Sequence, residues 1–570
     1  MRASPPSTTP NADDRPPLTR GGAIALLLLF AAIWFGNLDY RRLVHPDEGR
    51  YAEIPREMAL SGDWVTPRLN GIKYFEKPAL QYWITAAVYR TLGVHPWTAR
   101  LWPATAGFLG VLFIGYVGLR LGGLRQGLYS AAALGSCLWF AGNAHVLTLD
   151  SGLTFWMSVG LGSLFIAQRD AATPREQRNW MLVAWAALAL AVLTKGLIGV
   201  VLPGGAVVIY TLLTRDWALW RRLHLVAGVL LLLAIAAPWF VLVSIRNPEF
   251  FDFFFIHEHF TRFLTNEARR VEPWWYFVPV FIAGILPWLL IVACTAKRAW
   301  TNAPVGHNGF SWPRLALVWA AFIFVFFSAS GSKLPSYILP LFPPLALLIG
   351  WQLITMADSL LWRLTVPAVV FAAAVWLLLL FGYDALADRW RDPAQPLLPL
   401  LAYGTWLKWA LGIAMAGGLA TLWALRQGRK TVAVLATALS ALIMTQLIVT
   451  GHDTLAESRS SAPLLARVTA QHGPLRTDIP FYSVHMYDQT VPFYLGRTVI
   501  QVEHPDELAM GIASEPWRAI GNVDAWRGIW AAGGEAYAII PPDDYELLRR
   551  EGVPMRELGR DARRVIVSRQ

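Results

Sequence analysis

Two cysteines in 570 residues, Cys137 and Cys294, are too few for a disulfide framework, and both fall inside apolar runs. Charge is scarce too: Asp, Glu, Lys and Arg make up only 15% of the chain. Between residues 100 and 450, acidic residues occur only in loops or at the ends of apolar runs. There is no Gly-x4-Gly-Lys phosphate loop and no zinc-finger spacing. These absences exclude a disulfide-stapled domain, a zinc module and a P-loop nucleotide enzyme.

What fills the chain instead is apolar. Hydrophobic residues are 55% of it, and the mean hydropathy is +0.42. Runs near bilayer-spanning length recur at 22–38, 100–120, 125–141, 147–167, 180–194, 197–213, 224–244, 275–294, 315–330, 334–355, 363–382, 402–425 and 431–450. That is about thirteen helices by the twenty-residue rule. The fold class expected is an all-α polytopic membrane protein with a C-terminal soluble α/β domain. Gly, Pro and Trp (45, 37 and 28) are plentiful, as membrane helices and their interfaces allow. The segment 1–21 is polar and Pro-rich and reads as a disordered cytoplasmic tail. No small-residue cleavage site follows the first run, which therefore reads as a retained anchor.

The net charge of +11 does not call for nucleic acid. The basic residues fall in alternate loops: Arg120 and Arg125; Arg169, Arg175 and Arg178; Arg215, Arg221 and Arg222; Lys297, Arg298 and Arg314; Arg363; Arg426, Arg429 and Lys430. The positive-inside rule makes that side cytoplasmic and gives the excess charge a topological role, with anionic membrane lipids as a second partner. The pattern holds only if Pro78–Val94 is interfacial rather than spanning. The other side then receives loop 39–99, the turn 142–150, the turn at Lys195, loop 245–274, the turn 330–336, loop 383–401 and residues 451–570. In that tail, apolar alternations such as Ala536–Ile540 and Arg564–Val567 predict strands. The domains expected are thus 1–21, 22–450 and 451–570.

The unusual polar clusters all lie on this outer side. His45-Pro46-Asp47-Glu48-Gly49-Arg50-Tyr51 follows the first run, with Arg50 and Tyr51 one helical turn beyond the two carboxylates. Asp47 or Glu48 suits a base or a cation-binding carboxylate. Lys77, in Tyr74-Phe75-Glu76-Lys77-Pro78, and Arg262 suit a lipid phosphate. Asp150 heads a span and has two readings, a functional ionisable group or a helix N-cap. Lys195 either snorkels to headgroups or points at an anion. His257, with Glu258 or the distant Glu76, supplies ligands for a divalent metal, zinc or magnesium. On a helix, His257 and His259 point apart, so such a site needs partners from elsewhere. The turn Ser330-Gly331-Ser332-Lys333 suits anion binding through backbone N–H groups.

Taken together, the Asp-Glu box, the Glu76-Lys77-Pro78 box, Leu149-Asp150, Thr194-Lys195-Gly196, Glu258-His259-Phe260-x-Arg262-Phe263 and Lys333-Leu334-Pro335-x-Tyr337 resemble the bacterial lipid A aminoarabinose transferases. These are GT-C membrane glycosyltransferases related to protein O-mannosyltransferases. Ala79 departs from a second proline expected there. The resemblance implies transfer of 4-amino-4-deoxy-L-arabinose from undecaprenyl phosphate to a lipid A phosphate. The site would be at the periplasmic face of the inner membrane, and the product would resist polymyxin. It implies catalytic roles for Asp47, Asp150 and Glu48. Lys77, Arg262, Tyr337 and Tyr74 would hold the donor phosphate. Tyr51, Arg50, Lys195 and Lys333 would hold substrate, and Glu76 with His257 a metal. The chain is expected to act as a monomer. Competing expectations are another polyprenyl-linked sugar or a protein acceptor, and a lipid flippase, which would place charge near the bilayer midplane.

Overall fold

The computed structural model describes residues 19–261, 272–391 and 396–569. Every apolar run has its helix. Among the described residues, seven helices are long and apolar enough to cross a membrane, or eight if Phe277–Gly284 and Leu289–Thr301, bent by 102°, form one span. The named helices are α1 (Arg20–Phe35), α2 (Asp47–Ser61), α3 (Leu80–Leu92), α4 (Pro96–Ser136), α5 (Asp150–Ala167) and α6 (Pro174–Lys195). Further helices follow, among them Leu225–Arg246, Trp312–Ala329, Phe342–Thr355, Asp358–Trp390, Leu397–Arg426 and Lys430–Gly451.

Helix α4 contains two of the expected spans folded into a hairpin. Backbone geometry leaves the helix at Gly122 and Gly123, the latter at φ +88°, a conformation open to glycine and strained for other residues. Across the turn, Gly118 meets Gln126 and Gly127, Gly115 meets Ala131, and Gly135 meets Val111. In a straight helix, residues 115 and 131 would be about 24 Å apart.

The two ends of the bundle can be traced by their contacts. At one end Arg120 pairs with Glu176, Arg169 donates to the Arg120 carbonyl, and the Gln168 carbonyl accepts from Asn308 Nδ2. Arg222 bonds Asp216 and the Asn308 carbonyl, and Lys430 bonds Asp358 and the Met356 carbonyl. The basic loops expected on one side are therefore neighbours. At the other end sit α2, α3 and a two-stranded hairpin, β1 (Arg68–Leu69) with β2 (Ile72–Lys73).

A six-stranded sheet covers that second end. Its strands are β3 (Phe481–Val484), β4 (Ile500–Val502), β5 (Ala519–Ile520), β6 (Tyr537–Ile540), β7 (Met555–Arg560) and β8 (Val565–Arg569), in the order β5-β4-β3-β6-β8-β7. The first four are parallel, while β8 runs antiparallel to β6 and β7 antiparallel to β8. Strand order reverses at β3, and in open α/β sheets the crevice at such a switch, outside the carboxyl ends of the strands, is where ligands bind. Here the segments leaving β3 and β4 run onto α2. Phe493 and Leu508 join the same buried core as Tyr51, Ile54, Tyr82 and Leu149, so burial of apolar surface holds the soluble domain against the membrane part.

Candidate active site

The Asp-Glu box starts α2, and its two carboxylates have opposite fates. Glu48 is fully buried. It accepts hydrogen bonds from Arg41 Nη1 and Nη2 (3.0 and 3.1 Å), Arg100 Nε and Nη2 (both 2.8 Å), and the N–H groups of Val44 and Leu147 (both 3.1 Å). The same guanidiniums donate to the carbonyls of His145 (2.7 Å), Leu38 (3.2 Å) and Arg42 (2.9 Å). Burial alone would push the Glu48 pKa up; Arg100 and Arg41 outweigh it and hold the carboxyl far below the usual range. Every lone pair of Glu48 is committed, so the catalytic role expected for it is corrected to a structural one: it ties α2, α4 and the 145–147 turn together.

Asp47 is the accessible member. Its side chain is 40% exposed and accepts from Arg50 Nη1 at 2.9 Å. Arg50 is buried and uses Nη2 on Glu507 of the soluble domain at 2.5 Å. Arg50 is therefore committed to two carboxylates, and the substrate-binding role expected for it becomes one of orienting Asp47. Tyr51 stacks near Tyr82, ring centres 6.3 Å apart. The buried hydroxyls of Tyr74 and Tyr82 have no hydrogen-bond partner among the described residues. Burial pushes the Tyr51 and Tyr74 phenols well above the usual range, and both remain neutral donors.

Asp150 opens α5, yet its side chain does not cap that helix. It forms a close ion pair with Lys195, the last residue of α6. The Lys195 ammonium also sits 4.9 Å from the centre of the Tyr337 ring, within cation–π range. Neither the N-cap nor the snorkelling reading survives: sequence-distant Asp150 and Lys195 neutralise each other. Tyr337 packs on Phe327, and Trp139 Nε1 donates to the Pro335 carbonyl at 2.9 Å, fixing the turn that carries it. Asp47 and Asp150 are each near enough to act electrostatically on both Tyr51 and Lys195.

Lys333 is buried and donates to the carbonyls of Ser330 (2.6 Å) and Glu272 (3.0 Å), closing its own turn and committing two of its three N–H donors. Lys77 donates to the Glu76 carbonyl at 2.7 Å, with the Glu76 carboxylate at 3.9 Å. His257 lies on a π-helix, Asp252–Thr261, exposed and stacked on Phe253 at 5.3 Å. Arg262 lies outside the described residues.

Sequence reading missed Arg41 and Arg100, although an arginine heading an apolar run is a signal of burial with a partner. It also missed Glu507 and Gln489. Gln489 Nε2 donates to Glu507 Oε1 at 2.5 Å. Nothing local in the tail marks either residue, because the pair meets the membrane part only through Arg50, more than four hundred positions from Glu507.

Comparison with known proteins agrees with this architecture. Residues 22–254 match the family model of dolichyl-phosphate-mannose-protein mannosyltransferases, and residues 466–569 match the aminoarabinose transferase C-terminal domain. An undecaprenyl phosphate-α-4-amino-4-deoxy-L-arabinose arabinosyl transferase 1 of Pseudomonas fluorescens is 33% identical over 423 residues, which is 71% of this chain and 74% of that protein. A second transferase from the same strain is 34% identical over 363 residues, 63% of this chain and 60% of the relative. The crystal structure of ArnT from Cupriavidus metallidurans bound to undecaprenyl phosphate superposes with a TM-score of 0.91 at 38% identity, over 97% of this chain and 98% of that one. A helical membrane bundle, an Asp-Glu box at one end and a capping α/β domain define a GT-C membrane glycosyltransferase. Within that class, the chain belongs to the aminoarabinose transferase family.

Proposed function

We propose that this protein transfers 4-amino-4-deoxy-L-arabinose from undecaprenyl phosphate to a phosphate of lipid A, at the periplasmic face of a bacterial inner membrane. The observation that carries the reading is the convergence of Asp47, Asp150–Lys195, Tyr51 and Tyr337 at the end of the bundle under the soluble domain, in a chain of this family. The basic loops gather at the opposite end, as the positive-inside rule expects of a cytoplasmic face.

The chemistry follows from the substrates. An oxygen of the acceptor phosphate attacks C1 of the sugar as the bond from C1 to the donor phosphate oxygen breaks, releasing undecaprenyl phosphate. A phosphate monoester with a second pKa of about 6 is largely ionised at neutral pH, so little deprotonation is required. Asp47 then acts as a fixed negative charge facing the sugar as positive charge develops on it. Lys77, Arg262 and Tyr337 are assigned to the departing phosphate, whose charge grows in the transition state. Asp150 is matched by Lys195, so its role is to hold that ammonium and Tyr337 in place. Tyr51, Tyr74 and Tyr82 form an aromatic layer packed behind Asp47 and Arg50.

Glu76 and His257 are two donors, short of the four of a structural zinc site, and no group of three His, Cys, Asp or Glu side chains forms among the described residues. A divalent cation would be held by Glu76 or His257 with further donors and would neutralise charge on the departing phosphate; a chelator that leaves the KM for donor unchanged removes it.

Purified protein in liposomes with undecaprenyl phosphate-aminoarabinose and lipid A is expected to add one aminopentose to lipid A, read by mass spectrometry. No mass gain with this donor, and a gain with another polyprenyl-linked sugar, overturns the assignment of the sugar. Asp47→Asn is expected to lower kcat about 100-fold, the scale of removing one preorganised electrostatic group, with folding intact.

A further inference from the structure

We propose that Gln489 of the soluble domain is a positioning residue for Asp47, acting through Glu507 and Arg50. The inference rests on the role given to Asp47 above.

The path is continuous. Gln489 Nε2 donates to Glu507 Oε1 (2.5 Å), Glu507 Oε2 pairs with Arg50 Nη2 (2.5 Å), and Arg50 Nη1 donates to Asp47 Oδ1 (2.9 Å). Gln489 and Arg50 are buried and the Glu507 side chain is 8% exposed, so water does not compete for these bonds. Asp47 alone of the four is accessible. Its rotamer is set by Arg50, a planar fork with a second carboxylate on its other side. That second carboxylate is in turn aimed by a neutral amide, the one partner that can donate to Glu507 without adding charge.

The amide is itself anchored. The Asp488 carboxylate accepts from the Thr490 N–H (3.0 Å) and hydroxyl (2.6 Å) and pairs with the buried Arg564 (2.7 Å). Thr490 Oγ also accepts from the Ser461 N–H at 3.0 Å. The segment lies directly on α2 at Gly49. A Cβ there would stand 2.5 Å from the Gln489 carbonyl carbon and 2.7 Å from the Thr490 nitrogen. The glycine of the Asp47-Glu48-Gly49-Arg50 box thus admits the backbone of the soluble domain to the helix that carries Asp47. The cap is part of the site rather than a cover over it.

The test compares Gln489→Met, Gln489→Glu and wild type in the liposome assay, as ratios of kcat and of donor KM. Methionine keeps the length and loses the amide; it is expected to lower kcat about tenfold with donor KM within twofold and the melting temperature unchanged. Glutamate is expected to lose as much at neutral pH, where two carboxylates face each other, and to recover toward wild type in acid, where the protonated side chain donates as the amide does. Combining Gln489→Met with Glu507→Gln is expected to lose no more than Glu507→Gln alone, since both break one path. Wild-type kcat in Gln489→Met overturns the proposal, as does a loss carried by KM or by a lowered melting temperature, or an additive double variant. If the wild type turns over a different donor, the function assigned above fails while the ratios are read with that donor.

Discussion

The two ends of the bundle are both rich in charge, but they use it differently. At the end bearing the basic loops, two pairs are half-solvated: side chains of Arg120 and Glu176 are 26% and 37% exposed, those of Lys430 and Asp358 22% and 39%, while Arg222–Asp216 is more enclosed. At the capped end, Arg41–Glu48 and Asp488–Arg564 are at 5% or less, and Arg50–Glu507 at 8–9%. Solvated pairs contribute about 0–1 kcal/mol and can be replaced freely. Desolvated pairs are rigid and intolerant of losing one member. The first kind lies at the end that the positive-inside rule assigns to the cytoplasm, and the second locks together the elements that carry Asp47.

Breaking the buried kind has the largest expected effect. Glu48→Gln leaves Arg41 and Arg100 buried without their counter-charge. A loss of about 3–5 kcal/mol is expected, seen as a large drop in melting temperature in detergent and poor yield. Asp47→Asn, one residue away, is expected to keep the wild-type melting temperature while losing activity. Equal stability in both variants would erase the distinction between the two carboxylates.

A smaller effect comes from the seam between the domains. His45 contacts Arg563, and its N–H is bonded to the Arg459 carbonyl at 2.8 Å. Burial pushes its pKa down to about 4 from an ordinary value of 6.5, against the pull of Asp488 and with help from Arg563 and Arg564. The folded protein therefore keeps His45 neutral where the unfolded chain would protonate it. Stability from this group is present above pH 6.5 and is lost as pH falls toward 4. The melting temperature is expected to decline across that window, and His45→Asn to decline less. An unchanged slope in the variant would move the acid sensitivity elsewhere.

Much of this was legible in the sequence because membrane burial is written in composition. The thirteen apolar runs all became helices, since a spanning segment must satisfy its own backbone, and loop charge sorted them into two faces. Residues with short-range context, Asp47 with Arg50, were readable as a unit. Pairing across the fold was not. Asp150 admits two readings in the sequence, an ionisable functional group or a cap, because its partner, Lys195, lies on the next helix, and the turn of Lys333 reads as anion binding because the carbonyl partners of its ammonium carry no sequence mark. Glu48 and Asp47 are indistinguishable as letters; what separates them is Arg100, which only the α4 hairpin brings near. Gln489 and Glu507 sit in an unremarkable tail, and their meaning comes from the way the carboxyl ends of β3 and β4 face α2.

The smallest effect is expected at the uncapped end, and it sharpens the contrast most cheaply. Arg120 bonds Tyr116 and Glu176 there, with Glu176 also capping its own helix through Thr173. Arg120→Gln removes an ion pair open to solvent, so melting temperature should shift by an amount equivalent to less than about 1 kcal/mol, and the little that is lost should vanish in high salt, where exposed charges are screened over about 3 Å at 1 M. Glu176 keeps its capping bonds without Arg120, which is why the helix itself is not expected to fray. Activity should stay at the wild-type level, because no group at this end reaches Asp47. A loss of turnover in Arg120→Gln at unchanged stability would mean that the two ends are coupled through α4, the one element whose buried residues include both Arg100 at the site and Gln126 beside the turn.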